Sequence, residues 1–284
     1  MSKLLVCDLD NTLYDWVGYF VSAFYAFVDK VVDLTGCDRD KLLDDFRDVH
    51  RKHHDAEHPF AVLETDTIKR HFQGKSSEEI ADALDPAFHV FNSHRKRSLV
   101  LYPGVRETLD TLRDQNVKLV AHTESKLFAV VDRLSRLDLT KYFSHIYCRE
   151  RPKTLQPKSG RSERFLADFP MELVIELSHH QRKPNSDVLF EICNREGVLH
   201  DSTAYIGDSM ARDVLMAKRS GVFAIWAKYG IRHSDGDYEK LVRVSHWTDE
   251  DVAREKLLVA EVAMMEPDFV AEHSFAQVLN ALAE

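Results

Sequence analysis

Two carboxylates two residues apart, Asp8 and Asp10, follow the apolar run Leu4-Leu5-Val6-Cys7. Such a run reads as a buried strand, and delivering carboxylates onto its C-terminal edge is costly because unpaired carboxylates resist leaving water. Residues two apart in an extended chain point the same way, so Asp8 and Asp10 face one pocket unless the strand has already bent into a loop. The chemistry that suits such a pair is attack on phosphorus. Asp8 would be the nucleophile, forming an aspartyl-phosphate that divides one difficult displacement into two easier ones. Asp10 would protonate the leaving alcohol and then take a proton from the water that hydrolyses the intermediate. Thr12 can hydrogen-bond locally and fix the turn. The bland alternative for the same string is an exposed Asp-rich turn capping the next helix.

Three later segments supply what the displacement needs. Lys118-Leu119-Val120-Ala121-His122-Thr123 reads as another buried strand, ending in a Thr123 hydroxyl that can hold a phosphoryl oxygen. Arg182-Lys183-Pro184-Asn185-Ser186-Asp187 opens a helical pattern, and Lys183 offers a point charge to a transferring phosphoryl group. Thr203-Ala204-Tyr205-Ile206 leads into Gly207-Asp208-Ser209, with Asp213 five residues after Asp208. Asp208 can ligate a metal while Asp213 orients the loop or Lys183.

Together these residues resemble the haloacid dehalogenase superfamily of hydrolases. Asp8, Asp10 and Thr12 match its first motif, Thr123 the second, Lys183 the third, and Gly207, Asp208 and Asp213 the fourth, all in family order. The resemblance implies a magnesium ion (Mg2+) held by the Asp8 carboxylate, the backbone carbonyl of Asp10 and the Asp208 carboxylate. Such a donor set suits a cation that prefers hard oxygen ligands. The metal-independent dehalogenases lack an acid two residues after the nucleophile, and the transport ATPases place Thr there. Asp10 therefore favours phosphoester hydrolysis or phosphoryl transfer. Asn11 stands where Gly is common, a substitution familiar among phosphatases of the family.

These residues need a scaffold, and the periodicity supplies one. From Trp16 to about Leu34 apolar residues recur at helical spacing, with Gly36 as a stop. Further helical patterns cover Asp40 to about His54, Asp66 to about Phe72 and Ser77 to about Arg97. Residues 15–98 therefore resemble the helical cap that many family members insert between the first two motifs, closing over the site and carrying selectivity. After Tyr102-Pro103-Gly104 helix and strand alternate. Helices are expected at Val105 to Gln115, Lys126 to Leu137, Asp187 to Glu196 and Ala211 to Ser220, and strands at Ser144 to Cys148, Ala204 and Val222 to Trp226. Asp268 to Ala271 reads as a final strand before a closing helix near Phe275 to Leu282. Alternation of this kind predicts an α/β fold: a Rossmann-like doubly wound parallel sheet formed by residues 1–14 and 99–284, with ligands beyond the strand C-termini.

Composition bounds the function. A chain of 284 residues, 44% hydrophobic and 30% charged, can bury one sizeable core and a smaller accessory domain. The net charge of -9 argues against general nucleic-acid affinity, which depends on neutralising backbone phosphates. Cys7, Cys37, Cys148 and Cys193 form no CxxC pair and read as reduced thiols. The chain enters its first strand without a basic-then-apolar leader, and no apolar run reaches the roughly 18 residues of a membrane span, so a cytoplasmic location without membrane partners is expected.

Several features stay open at this level. The cations Arg149, Arg151, Lys153, Lys158, Arg161 and Arg164 read as a solvated insertion, with recruitment of an anionic substrate as the sharper alternative. Residues 234–267 interrupt the core and either pack on a second subunit, giving a homodimer, or cover a sheet edge. The run His50, His53, His54, Asp55, Glu57 and His58 reads as a solvated helix end rather than a metal site, or as a loop over the substrate. Tyr14 and Trp16 read as core, or as rings lining the cleft. The expected function is a magnesium-dependent phosphatase of a small phosphorylated metabolite, such as a nucleoside monophosphate or sugar phosphate. A phosphomutase or phosphotransferase would use the same residues. A non-catalytic phosphate-binding regulator would lack the nucleophile or a metal carboxylate, and neither is missing.

Overall fold

Leu4–Cys7 forms strand β1, whose four side chains are all buried. In the computed structural model, which describes residues 3–58, 60–150, 166–232 and 235–283, six further strands follow it. They are β2 Lys118–Lys126, β3 His145–Arg149, β4 Val174–Leu177, β5 Thr203–Gly207, β6 Phe223–Trp226 and β7 Phe269–Val270. All pair in parallel in the order β4-β3-β2-β1-β5-β6-β7. The connections run outward from β1 in both directions, so the switch point where such sheets bind ligands falls beside β1. Alternate residues of β1 serve opposite faces. Leu5 and Cys7 join one core cluster, and Leu4 and Val6 another. Burying each such Leu or Val is worth about 1.5–3 kcal/mol.

Five helices form the insertion that follows β1: α1 Trp16–Thr35, α2 Arg39–His53, α3 Asp66–His71, α4 Ser77–Ala83 and α5 Asp85–Ser98. Gly36 ends α1 in the left-handed conformation at φ 66°. Aromatic packing holds this insertion together, with Phe24 edge-on to Phe46 at 5.0 Å and Phe27 against Phe88 and Phe91. The single helix expected from Ser77 to Arg97 is broken at Leu84. Pro86 stands in the first turn of α5, where its missing N–H and its ring interrupt the hydrogen-bond ladder coming from α4.

The remaining helices are α6 Val105–Asp114, α7 Leu127–Arg136, α8 Ser186–Glu196, α9 Leu215–Arg219, α10 Asp235–Val244, α11 Asp249–Val262 and α12 Val278–Ala283. Helices α6, α7 and α12 contribute to the Leu5 face, and α8 and α9 to the Leu4 face. The helix expected from Ala211 begins instead as a π turn, Met210–Val214. Strand β4 at the sheet edge went unassigned in the sequence, since Leu173-Val174-Ile175 is too short an apolar run to separate strand from helix. Among the described residues no helix is long and apolar enough to cross a membrane. Cys7, Cys37, Cys148 and Cys193 form no disulfide among the described residues.

Two helices of the 234–267 stretch pack on other parts of the same chain. Helix α10 docks on the helical insertion, where Tyr25 donates to the Lys240 carbonyl at 2.9 Å and Arg243 pairs with Asp44. Helix α11 lies on the π turn, with Leu258 and Val262 against Ala211 and Leu215. His50 Nδ1, fully inside the protein, meets the Val244 carbonyl at 2.7 Å and ties α2 to the end of α10. Burial pushes the His50 imidazolium down to about 4. The unfolded chain therefore takes up this proton first as pH falls below about 6.5, so stability is lost between pH 6.5 and 4 and no further below. The loss is expected on the order of 3 kcal/mol from this group. Urea midpoints at pH 7 and pH 4.5 should show a steeper fall for wild type than for His50→Phe; equal slopes would reject the assignment.

Candidate functional site

At the C-terminal end of β1 the chain bends into a loop, and Asp8 sits there with 6% of its surface exposed. Its Oδ1 accepts from Lys183 Nζ at 2.6 Å and its Oδ2 from the Thr12 hydroxyl at 3.1 Å. Lys183 lies after β4, its side chain buried, and its ammonium also donates to Asp213 Oδ1 at 2.8 Å. Burial raises the Asp8 carboxyl far above the ordinary range, with Lys183 opposing and the neighbouring aspartates adding to the rise. Burial alone would lower the Lys183 ammonium, but Asp213 and Asp8 outweigh it and hold it charged.

Asp208 and Asp213 come from the end of β5. The π turn lets the Ser209 carbonyl accept from both Asp213 N at 2.9 Å and Val214 N at 3.2 Å. That extra residue swings the Asp213 carboxylate back over Gly207, onto the Ser209 amide at 3.1 Å and the Tyr205 hydroxyl at 3.2 Å. Gly207 is glycine for this reason: a Cβ there would lie 2.3 Å from the Asp213 carboxylate carbon. Asp213 thus orients both the loop and Lys183.

One oxygen each from Asp8, Asp208 and Asp213 lies within 4.8 Å of the others. Asp213 is engaged by protein donors, whereas burial and Asp213 push the Asp208 carboxyl up to about 7, with Lys183 and Arg212 only partly opposing them. Hard, crowded, partly unrelieved carboxylates are the donor chemistry that a small divalent cation fits, and its charge would bring such values down.

Asp10 belongs to a different circle of contacts. The loop bends after Cys7, so the Asp10 carboxylate turns from Lys183 toward the Ser125 hydroxyl at 2.5 Å and toward the Arg133 guanidinium. Arg133, on α7, is completely buried and also grips Glu57 of the helical insertion, which accepts from Trp16 Nε1 at 3.3 Å. Burial would lower the Arg133 guanidinium; Asp10 and Glu57 reverse that and raise it. Asn11 adopts φ 56°, a conformation Asn tolerates, and its Oδ1 accepts from Trp16 N at 3.1 Å and Val17 N at 3.3 Å. It therefore replaces the common Gly with a residue that also anchors α1. Across this loop Tyr229 donates to the Thr12 carbonyl at 2.6 Å, and a Cβ on Gly230 would strike the Asn11 carbonyl oxygen at 1.8 Å.

Asp8, Asp10, Thr123, Lys183 and Asp208 all line one cleft of about 1290 Å³. The Thr123 hydroxyl accepts from Ser125 N at 3.1 Å. His122 does not reach the cleft: it is buried in the sheet, its Nδ1 at 3.3 Å from the Tyr205 hydroxyl. Trp16 lines the cleft, whereas Tyr14 is core. Residues His54 to Glu57 form part of the cleft wall, so the histidine-rich run partly covers the site. His53 and His58 stack at 3.7 Å with their rings 7° apart, both directing Nε2 at Glu64. Parallel rings cannot both bind one ion in plane, so the shared carboxylate accounts for this pair. Arg149 lies on the cleft, while Arg151, Lys153, Lys158, Arg161 and Arg164 fall outside the described residues.

Sequence reasoning missed Arg133, Ser125 and Tyr205, and named Glu57 only as part of the histidine-rich run. Arg133 had a signal, since it sits three residues after Val130 and four before Leu137 on a buried helix face, where a cation needs partners.

Residues 2–221 match the family model described as haloacid dehalogenase-like hydrolase. A phosphoglycolate phosphatase of Pseudomonas fluorescens is 28% identical over 155 residues, 55% of this chain and 46% of the relative, so that match spans about half of the relative's length. A phosphoglycolate phosphatase of Agrobacterium fabrum is 24% identical over 234 residues, 81% of this chain and 82% of the relative. Among solved structures, a 2-haloacid dehalogenase of Pseudomonas syringae covers 100% of this chain and 99% of its own at TM-score 0.58 and 20% identity. The Bacillus subtilis HAD-hydrolase YfnB, bound to magnesium, covers 100% of this chain and 99% of its own at TM-score 0.53 and 12% identity. At these identities the structural likeness is one of fold.

Proposed function

The chain belongs to the haloacid dehalogenase-like hydrolase family, and on that premise we propose that it is a magnesium-dependent phosphatase of a small phosphorylated metabolite, working through an aspartyl-phosphate on Asp8. The observation that carries this reading is the separation of the two carboxylates. Asp8 is buried against Lys183 and two aspartates, while Asp10, two residues on, is held apart by Arg133 and Ser125. Two carboxylates in different surroundings can take different roles.

In the first step the Asp8 carboxylate attacks phosphorus in line, and the bond to the leaving alcohol breaks as Asp10 protonates its oxygen. Lys183 and the Thr123 hydroxyl hold phosphoryl oxygens as charge redistributes. In the second step Asp10 takes a proton from water, which attacks the same phosphorus and frees the Asp8 carboxylate and inorganic phosphate. A magnesium ion held by Asp8, Asp208 and the Asp10 carbonyl would supply counter-charge between the two anions. Residues 15–98 serve as a cap, supported by Trp16 and the His54 to Glu57 segment on the cleft wall. The phosphoglycolate phosphatases among its relatives support a small phosphomonoester as substrate.

The test is release of inorganic phosphate from a panel of phosphomonoesters. Release is expected with magnesium and is expected to fall at least about a hundredfold after chelation. Release unaffected by chelation would reject the metal, and isomerisation of a sugar phosphate without release would assign transfer in place of hydrolysis.

A further inference from the structure

The phosphatase reading needs one cation at phosphorus, Lys183, yet the cleft holds more. Arg149 at the end of β3, Arg182 beyond β4, Arg212 on the π turn and Arg254 on α11 all line it. Three have carboxylate partners: Arg149 with Glu124 at 3.6 Å, Arg182 with Asp251 at 2.9 Å and Arg212 with Glu255 at 3.1 Å. Among the described residues Arg254 has no such partner; its Nη2 donates to the Lys183 carbonyl at 2.8 Å. Burial and the charges of Arg182 and Arg212 lower the Arg254 guanidinium, with Glu124 and Glu255 opposing them.

The Lys183 residue itself spans the interval between the two ends of this arrangement. Its ammonium touches Asp8, and its carbonyl touches Arg254. Beside that carbonyl, Arg182 and Arg254 also wall a polar recess of about 250 Å³ with His180, Pro184 and Asn185. Helix α11 lies beyond residue 221, where the match to the family model ends.

We propose that Arg254, with Arg182, forms a second anion subsite, and that the substrate is a phosphomonoester bearing a further carboxylate or phosphate at its far end. This rests on the phosphatase reading and names its substrate class. Guanidinium groups pair with both anions through forked hydrogen bonds.

The experiment compares kcat/KM, with magnesium, for short phosphomonoesters that differ only at the far end: carboxylate, second phosphate, hydroxyl or ammonium. Wild type should favour an anionic end over the hydroxyl by roughly tenfold or more, and rising salt should shrink that ratio. The carboxylate and phosphate arms show which anion is read. In Arg254→Met, which keeps the aliphatic stem, the ratio should fall about tenfold, mainly through KM. In Arg254→Glu it should invert toward the ammonium ester. Equal wild-type efficiencies, or a ratio unmoved by Arg254→Met, would overturn the subsite while leaving hydrolysis of the neutral ester standing. No phosphate from any ester would remove the phosphatase reading itself.

Discussion

Phosphate release by Asp8→Asn is expected to fall by roughly 10⁴–10⁶-fold, the scale on which removing a nucleophile acts. The substitution keeps shape and removes the anionic oxygen that bonds to phosphorus. It is also a mild change for the fold. Lys183 loses one of its two carboxylates but keeps Asp213, so the buried ammonium is not left alone. The Asn carbonyl can still accept from Lys183, and its amide can donate to the Thr12 hydroxyl, which turns from donor to acceptor. Burial already penalises the ionised Asp8 side chain, so a neutral residue in that place relieves part of the cost. The expected pattern is therefore lost turnover with a thermal midpoint equal to or above wild type. A structural turn would give the reverse: lowered stability and turnover in proportion to the folded fraction. Phosphate release from Asp8→Asn at the wild-type rate would end the nucleophile assignment.

The residues legible in the sequence are those whose signal is local. Asp8 and Asp208 lie just past short apolar strands and Thr123 just past the apolar run inside β2, and a strand buried on both faces loses its apolar run toward its C-terminal end. Their order along the chain then fixes their neighbourhood, because parallel strands put those ends on one edge of the sheet. Helix α1 was legible down to its Gly36 stop, for the same local reason. Contacts made only by docking were not. Glu57 and Arg133 are 76 residues apart and meet because the helical insertion lies over α7. The docking of α10 on that insertion through His50 and Tyr25 joins residues about two hundred positions apart. The π turn escaped for a different reason. Val214, Leu215 and Met216 are all buried, so their spacing fits a π turn as well as an α-helix. Only the return of Asp213 onto Gly207 demands the extra residue.

Arg133→Met is expected to lower kcat by roughly 10²–10⁴-fold, the range for losing a general acid–base group. Methionine retains much of the length that packs beside the Tyr14 and Tyr19 rings, so the change removes mainly charge and hydrogen bonds. Two carboxylates lose their common cation. Asp10 is left with the Ser125 hydroxyl and Glu57 with the Trp16 indole, and neither neutral donor replaces a guanidinium. Removing one partner of a buried ion pair costs about 3–5 kcal/mol, so the protein should also be less stable. Stability and turnover can be separated. Adding Glu57→Gln to Arg133→Met removes one uncompensated carboxylate and should recover part of the stability without recovering turnover. A kinetic cycle with Asp10→Asn then tests whether Arg133 acts through Asp10. Residues that act as a unit give non-additive losses, so Arg133→Met should lower kcat little further once Asp10 is Asn. If instead Arg133→Met costs the same factor in the Asp10→Asn protein as in wild type, Arg133 does not position the acid–base group, and its buried contact with Asp10 serves only to hold the helical insertion on the sheet.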